Sequence, residues 1–223
     1  MKVLVVSAHP DDETLGCGAT LLKHRAEGDR LHWLIATQAH QPQWSASVIK
    51  EKLDEIGRVA KAYAMPAPFR LGFPSARLNP EYLSEAIRKI SEVLAKVKPE
   101  VVYVVHGGDV HTDHQIVFQA TAAALKPYAM ARFGVRRLLS YETLSSTNAA
   151  APVGGQAFVP TVFNDIGRLI DQKIKIMNLY KTEKQSGPGP RSSAAIRALA
   201  GFRGSTINAR YAEAFMLVRE VMS

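Results

Sequence analysis

The chain has 223 residues, of which 47% are hydrophobic and 22% charged, which fits one globular domain with ample material for a core. Its single cysteine, Cys17, excludes an intrachain disulfide framework and a structural zinc site built on two or more thiolates. The formal charge of +8 suggests an anionic partner, yet no basic run exceeds Arg136-Arg137 and the aromatics do not interleave with Lys or Arg, so nucleic acid is not expected.

The chain opens directly on an apolar run, Val3-Leu-Val-Val6, with no signal-peptide pattern. No apolar stretch approaches the roughly 20 residues of a membrane-spanning helix. A cytoplasmic location is therefore expected. Residues 2–8 read as a buried strand, and 14–27 as a helix with Leu15, Ala19, Leu22 and Ala26 on one face and Gly28 as the stop. A second strand is expected at 30–37, a polar loop at 38–47 and a helix at 47–63, apolar at Val48, Leu53, Ile56, Val59 and Ala60. A short strand at 68–71 leads into a loop at 72–79, and Pro80 starts a third helix that Pro99 ends. Residues 101–105 form another buried strand. Beyond it the reading gives a helix at 114–126, a strand at 137–142, a loop at 143–157, a helix at 165–181, a Gly/Pro-rich loop at 184–192, a helix at 192–201 and a closing strand at 212–219.

This alternation predicts an α/β fold, a mostly parallel Rossmann-like sheet with helices on both faces. One domain is expected over 1–223, with 1–142 as its core and 143–223 completing it. In such sheets ligands bind beyond the carboxyl ends of the strands. Two strands discharge polar clusters there. The first exits into His9-Pro-Asp-Asp-Glu13, and the strand 101–105 into His106-Gly-Gly-Asp-Val-His-Thr-Asp-His114. An imidazole and three carboxylates at the tip of a core strand call for a compensating charge, and a divalent cation is the simplest. His111, Asp113 and His114 supply a plausible second half of such a site. His32, His106 and Asp109, each taken alone, read as structural residues. Cys17 reads as a small buried residue, since no base is placed to activate it.

Ala8-His-Pro-Asp-Asp-Glu13 together with His111-Thr-Asp-His114 resembles the PIG-L/LmbE family of zinc-dependent N-deacetylases, and Tyr211-Ala-Glu-Ala-Phe215 is similar to that family's closing segment. The stretches Pro190-Arg-Ser192, Arg203-Gly204 and 145–147 resemble a branch tied to bacterial surface sugars. The resemblance implies Zn2+ held by His9, Asp12 and His114, with an open position for a water of lowered pKa. It implies Asp11 as general base and His111 as the histidine that stabilises the oxyanion. Asp113 would either keep that imidazole charged or orient a ligand histidine. The implied substrate is a small N-acetylated amino sugar or glycoconjugate, an anionic one among the options.

Arg77, Arg191 and Trp44 are candidates for substrate binding: the arginines for a phosphate or carboxylate, Trp44 for stacking on a sugar ring. The family segment over 72–79 often carries Asp where Ser75 and Asn79 stand, and the surface-sugar branch carries His where Gly189 stands. The departures at Ser75 and Asn79 keep open a hydratase or lyase acting on an unsaturated carboxylic acid. A non-catalytic metal- or sugar-binding protein is a third reading, which Asp11, His111 and Asp113 weigh against. The oligomeric state stays open, a homo-oligomer among the options.

Overall fold

Apolar runs without polar alternation become the middle of a sheet, and the two most apolar runs of this chain lie side by side. The computed structural model describes residues 1–151 and 154–222. In chain order the elements are β1 (Lys2–Ser7), α1 (Asp12–Ala26), β2 (Arg30–Gln38), α2 (Ala46–Ala62), β3 (Phe69–Pro74), α3 (Leu83–Val97), β4 (Val101–Val105), α4 (Thr112–Ala124), α5 (Pro127–Phe133), β5 (Arg137–Tyr141), β6 (Val162–Asp165), α6 (Leu169–Met177), α7 (Ser193–Ser205) and β7 (Ala212–Glu220). The strands form one sheet in the order β3-β2-β1-β4-β5-β7-β6. β1 pairs in parallel with β2 and β4, with Val3 opposite Leu31 and Val101. β7 runs antiparallel to both neighbours, β5 and β6. The sheet is covered by one helical layer of α1, α6 and α7 and another of α3 and α4.

Strand order reverses between β1 and β4: the chain winds outward through β2 and β3, then returns to add β4 and β5 on the other side. A crevice opens at such a switch point, beyond the carboxyl ends of the two strands. Both polar clusters emerge into it.

α1 is not continuous. Cys17 has φ −137° and ψ 19°, which breaks the helix. A break strands backbone groups that must find partners elsewhere. The C-terminal part of the chain supplies them. Lys173 Nζ donates to the Leu15 carbonyl at 2.8 Å, and the Glu213 carboxylate accepts from the amides of Ala19 and Thr20 at 2.9 and 2.7 Å. Lys173 and Glu213 also bond each other at 2.7 Å, both buried. Gly16 lets the helix lie close on the sheet, since a side-chain carbon there would fall 2.0 Å from the Tyr141 ring.

Four local expectations change. The expected helix 165–181 starts later, at Leu169, and its first residue ends the edge strand β6. The helix α5 has no counterpart among the expected elements; Pro127 opens it and Gly134 closes it. The first residues of the expected loop 72–79 belong to β3. The expected loop 143–157 contains short 3₁₀ turns at Thr147–Ala149 and Gly154–Gln156, and its positions 152 and 153 lie outside the described residues. Among the described residues no helix is long and apolar enough to cross a membrane.

Candidate active site

At the exit of β1, Thr37 on β2 pins the turn by donating its amide and hydroxyl to the Ala8 carbonyl. The next residues fold tightly on themselves. Asp12 Oδ2 accepts from the His9 amide at 2.7 Å, and Glu13 Oε2 accepts from the Asp11 amide at 3.2 Å. Glu13 Oε1 also receives the hydroxyls of Thr14 and Tyr180 at 2.6 and 2.7 Å. Burial pushes Glu13 up to about 7 against the pull of these bonds. Between these anchors Asp11 adopts φ 111°, ψ −27°, a conformation that L-residues rarely take.

At the exit of β4 two carboxylates organise the histidines. Asp109 accepts from the His111 amide at 2.8 Å, from the hydroxyls of Ser146 and Thr147 at 2.9 and 2.7 Å, and bonds His114 Nδ1 at 3.1 Å. Asp113 accepts from the amides of Ala76 and Leu78 at 2.7 and 3.0 Å and bonds His9 Nε2 at 2.8 Å. Asp113 therefore orients His9, the second of its two expected roles. His111 Nδ1 accepts from the Asp113 amide at 3.2 Å, capping α4.

These partners fix the tautomers. A neutral ring that gives its N–H to a carboxylate presents a lone pair at the other nitrogen. His9 Nδ1 and His114 Nε2 are those other nitrogens, and they face each other at 3.2 Å. Asp12 Oδ1 stands 3.4 Å from His114 Nε2. One donor atom from each of His9, Asp12 and His114 falls within 4.8 Å of the others. Two lone pairs and a carboxylate converging on one point fit a cation between them; two imidazoles and a carboxylate are a zinc-type donor set.

The charges respond to this crowding. Burial works against the charge on Asp12, but His114 and His9 outweigh it and hold its carboxyl below the usual range. Burial also disfavours a charged His114, yet Asp12 and Asp109 raise it to about 10, so a cation taking that place would displace the proton from Nε2 and leave the neutral ring described above. Burial, with His9 and His114 adding to it, lowers His111 to about 4, so its ring is neutral at pH 7. Asp113, expected either to sustain a charge on His111 or to orient a ligand histidine, has its carboxylate on His9 rather than on the His111 ring. Burial pushes the Asp11 carboxyl well up, with Arg191 opposing.

A cavity of about 850 Å³ opens over the cluster. Its polar end holds His9, Asp11, Asp12, His111 and His114, and Thr143 and Arg191 border them. Among the described residues, three buried polar atoms on its wall have no hydrogen-bond partner: Asp11 Oδ2, Arg191 Nε and Thr143 Oγ1. Arg191 Nε and Asp11 Oδ2 form an ion pair at 3.2 Å, and Arg191 Nη1 donates to Glu183 Oε2 at 2.9 Å. Glu183 in turn meets Lys52 of α2.

Of the expected substrate-binding residues, Trp44 lines this cavity and Arg191 reaches into it. Arg77 does not; it is exposed and lines a small cleft with His40, Gln43 and Pro74. Ser75 borders the cavity, and Asn79 caps the 3₁₀ turn after it, accepting from the Glu81 amide at 2.9 Å, as an Asp there could equally do. His106 is structural as expected, bonded to the Gln156 carbonyl at 2.8 Å. Asp109 is more than that, because it holds His114. Its place directly after Gly107-Gly108, at the mouth of β4, was the available signal. Lys52, Thr143 and Glu183 carry no local motif.

Residues 4–125 match the family described as PIG-L: GlcNAc-PI de-N-acetylase. The 1D-myo-inositol 2-acetamido-2-deoxy-alpha-D-glucopyranoside deacetylase of Rhodococcus erythropolis is 29% identical over 163 residues, covering 59% of this chain and 55% of that protein. The conserved protein TT1542 from Thermus thermophilus superposes with a TM-score of 0.78 at 27% identity, covering 99% of this chain and 96% of its own. The 4-carboxy-2-hydroxymuconate hydratase GalB of Pseudomonas putida KT2440 also shares the fold, with a TM-score of 0.73 at 16% identity over 100% of this chain and 98% of its own.

Proposed function

Because the chain belongs to the PIG-L family of de-N-acetylases, we propose that it hydrolyses the N-acetyl group of an acetylated amino sugar or glycoconjugate, using zinc. The observation that carries the reading is the facing pair of ring nitrogens on His9 and His114, with Asp12 beside them. The open cavity, with the Asp11–Arg191 ion pair and the Thr143 hydroxyl on its wall, supports a polar ligand rich in donors and acceptors.

His9, Asp12 and His114 would hold the ion. When bound, it supplies Lewis acidity toward a water and toward the acetyl carbonyl. Asp11 would take a proton from the attacking water and return it to the departing amine. Its environment suits both proton transfers, because burial favours the protonated form while Arg191 favours the ionised one. Arg191 also fixes where the carboxylate points. His111, neutral and accepting through Nδ1, keeps its proton on Nε2 and can donate it as a hydrogen bond to the oxyanion. Asp109 and Asp113 hold two of the three ligands in orientation.

The test is acetate release from glycosides of N-acetylhexosamines by zinc-loaded protein, chelated protein and Asp11→Asn. Release is expected with zinc and absent with chelator. In Asp11→Asn it should fall about 10²- to 10⁴-fold while the ion stays bound. Hydration of an unsaturated carboxylic acid with no acetate from any glycoside would overturn the proposal.

A further inference from the structure

Arg191 is fixed in place before its side chain begins. It directly precedes Ser192, the buried N-cap of α7, which accepts from the Ala195 amide at 3.2 Å, and its own amide donates to Gln185 Oε1 at 3.1 Å. The guanidinium then lies between two carboxylates, and the two contacts differ. Nη1 donates an aligned hydrogen bond to Glu183 Oε2 at 2.9 Å. Nε comes within 3.2 Å of Asp11 Oδ2, yet among the described residues neither atom has a hydrogen-bond partner. Left to themselves, a guanidinium and a carboxylate favour two parallel N–H···O bonds. Asp11 does not receive that grip, and Glu183 is what withholds it. Lys52 of α2 pairs with Glu183 Oε1, which leaves Oε2 for the arginine. The residue before Glu183 is pinned as well: Glu55, buried in α2, accepts from the Thr182 amide and hydroxyl at 2.9 and 2.7 Å.

We propose that Glu183, seated by Lys52, is a positioning residue for the reaction: it draws the Arg191 guanidinium back by Nη1, so that Asp11 keeps a neighbouring positive charge without being locked in a fork. The role given to Asp11 rests on the deacetylase reading. A carboxylate that takes a proton from water needs an oxygen free to reach it. A forked arginine would engage both Asp11 oxygens and hold them where they lie. An arginine shared with Glu183 supplies charge at one edge and leaves the carboxylate able to turn between the water and the departing amine. Tyr180 ties the same segment to the other end of Asp11, since its hydroxyl bonds Glu13, which in turn holds the Asp11 amide. The segment 180–191 thus sets both the backbone and the carboxylate of Asp11, and α2 sets the segment.

Kinetics of acetate release and a crystal structure of one variant test it. In zinc-loaded Glu183→Ala the arginine is expected to close on Asp11 with two bonds, and kcat to fall about tenfold with KM unchanged. Glu183→Gln, which keeps an acceptor for Nη1, should lose less. The double variant Glu183→Ala/Arg191→Lys should recover part of the loss, because lysine keeps the charge but cannot form a fork. Lys52→Met acts through Glu183 from another element; it should lower kcat severalfold in the same sense, and it guards against misfolding of Glu183→Ala. An arginine that stays where it is in the Glu183→Ala structure would overturn the proposal, as would a double variant no faster than Glu183→Ala. A raised KM at unchanged kcat would make Glu183 a substrate contact and overturn it too. No acetate from the wild-type protein on any glycoside, with the arginine closed on Asp11 in the Glu183→Ala structure, removes the deacetylase and keeps the hold of Glu183 on Arg191.

Discussion

Asp11 combines two costs at one position. Its backbone lies at φ 111°, and its carboxyl is buried to 1% exposure. A non-glycine residue in such a conformation costs roughly 1–3 kcal/mol and persists only where its surroundings impose it. Glu13 imposes it here by holding the Asp11 amide. Asp11→Gly is therefore expected to raise unfolding free energy in urea by about 1 kcal/mol while abolishing acetate release. A second prediction concerns Asp109, whose charge holds His114 Nδ1. Asp109→Asn is expected to weaken zinc affinity about tenfold in competition titrations, with Ser146 and Thr147 still bonded to the amide oxygen. The sequence made His9, Asp12 and His114 readable because titratable residues crowd the ends of two buried strands. It did not make Glu183 or Lys52 readable, because their meeting with Arg191 crosses from α2 to the 182–191 segment and leaves no local spacing.

At the scale of elements, α1 shows how the distal chain supports the site. Its first turns carry Asp12 and Glu13, and the break at Cys17 separates them from the rest. The Lys173–Glu213 pair closes that break. Lys173→Met would leave a buried carboxylate without its cation and the Leu15 carbonyl without a donor. Denaturant unfolding is expected to show a loss of about 3–5 kcal/mol. The double variant Lys173→Met/Glu213→Gln, which buries no charge, is expected to lose less than the single one. The long elements were legible from their apolar period, and β1, β2, β4 and β5 fall within a residue of their expected ends. β6 was not, because its four residues at a sheet edge, three half-buried and one exposed, show no run and no alternation. The break in α1 was equally hidden, since the partners that make it tolerable lie in α6 and β7.

For the whole molecule, the site sits where strand order reverses, and it joins two segments that meet only in the finished sheet. Three donors that converge on one point should gain most when a cation binds. Zinc at about 100 times its dissociation constant is expected to stabilise the fold by roughly 2.7 kcal/mol, read as a rise in Tm that chelator reverses. Magnesium, which prefers oxygen ligands, is expected to give no comparable rise.

The placement of β7 has a consequence for how the protein is made. This strand lies between β5 and β6 rather than at a sheet edge, and it brings Glu213 to the amides beyond the break in α1. All three proposed zinc ligands have been translated once His114 is made, yet Glu213 follows on the order of ten seconds later at ordinary synthesis rates. Until then a nascent chain on the ribosome exposes the unpaired edges of β5 and β6 and an uncapped break in its first helix. Metal capture during translation would thus meet a half-built pocket, and chaperone contact would fall in that interval.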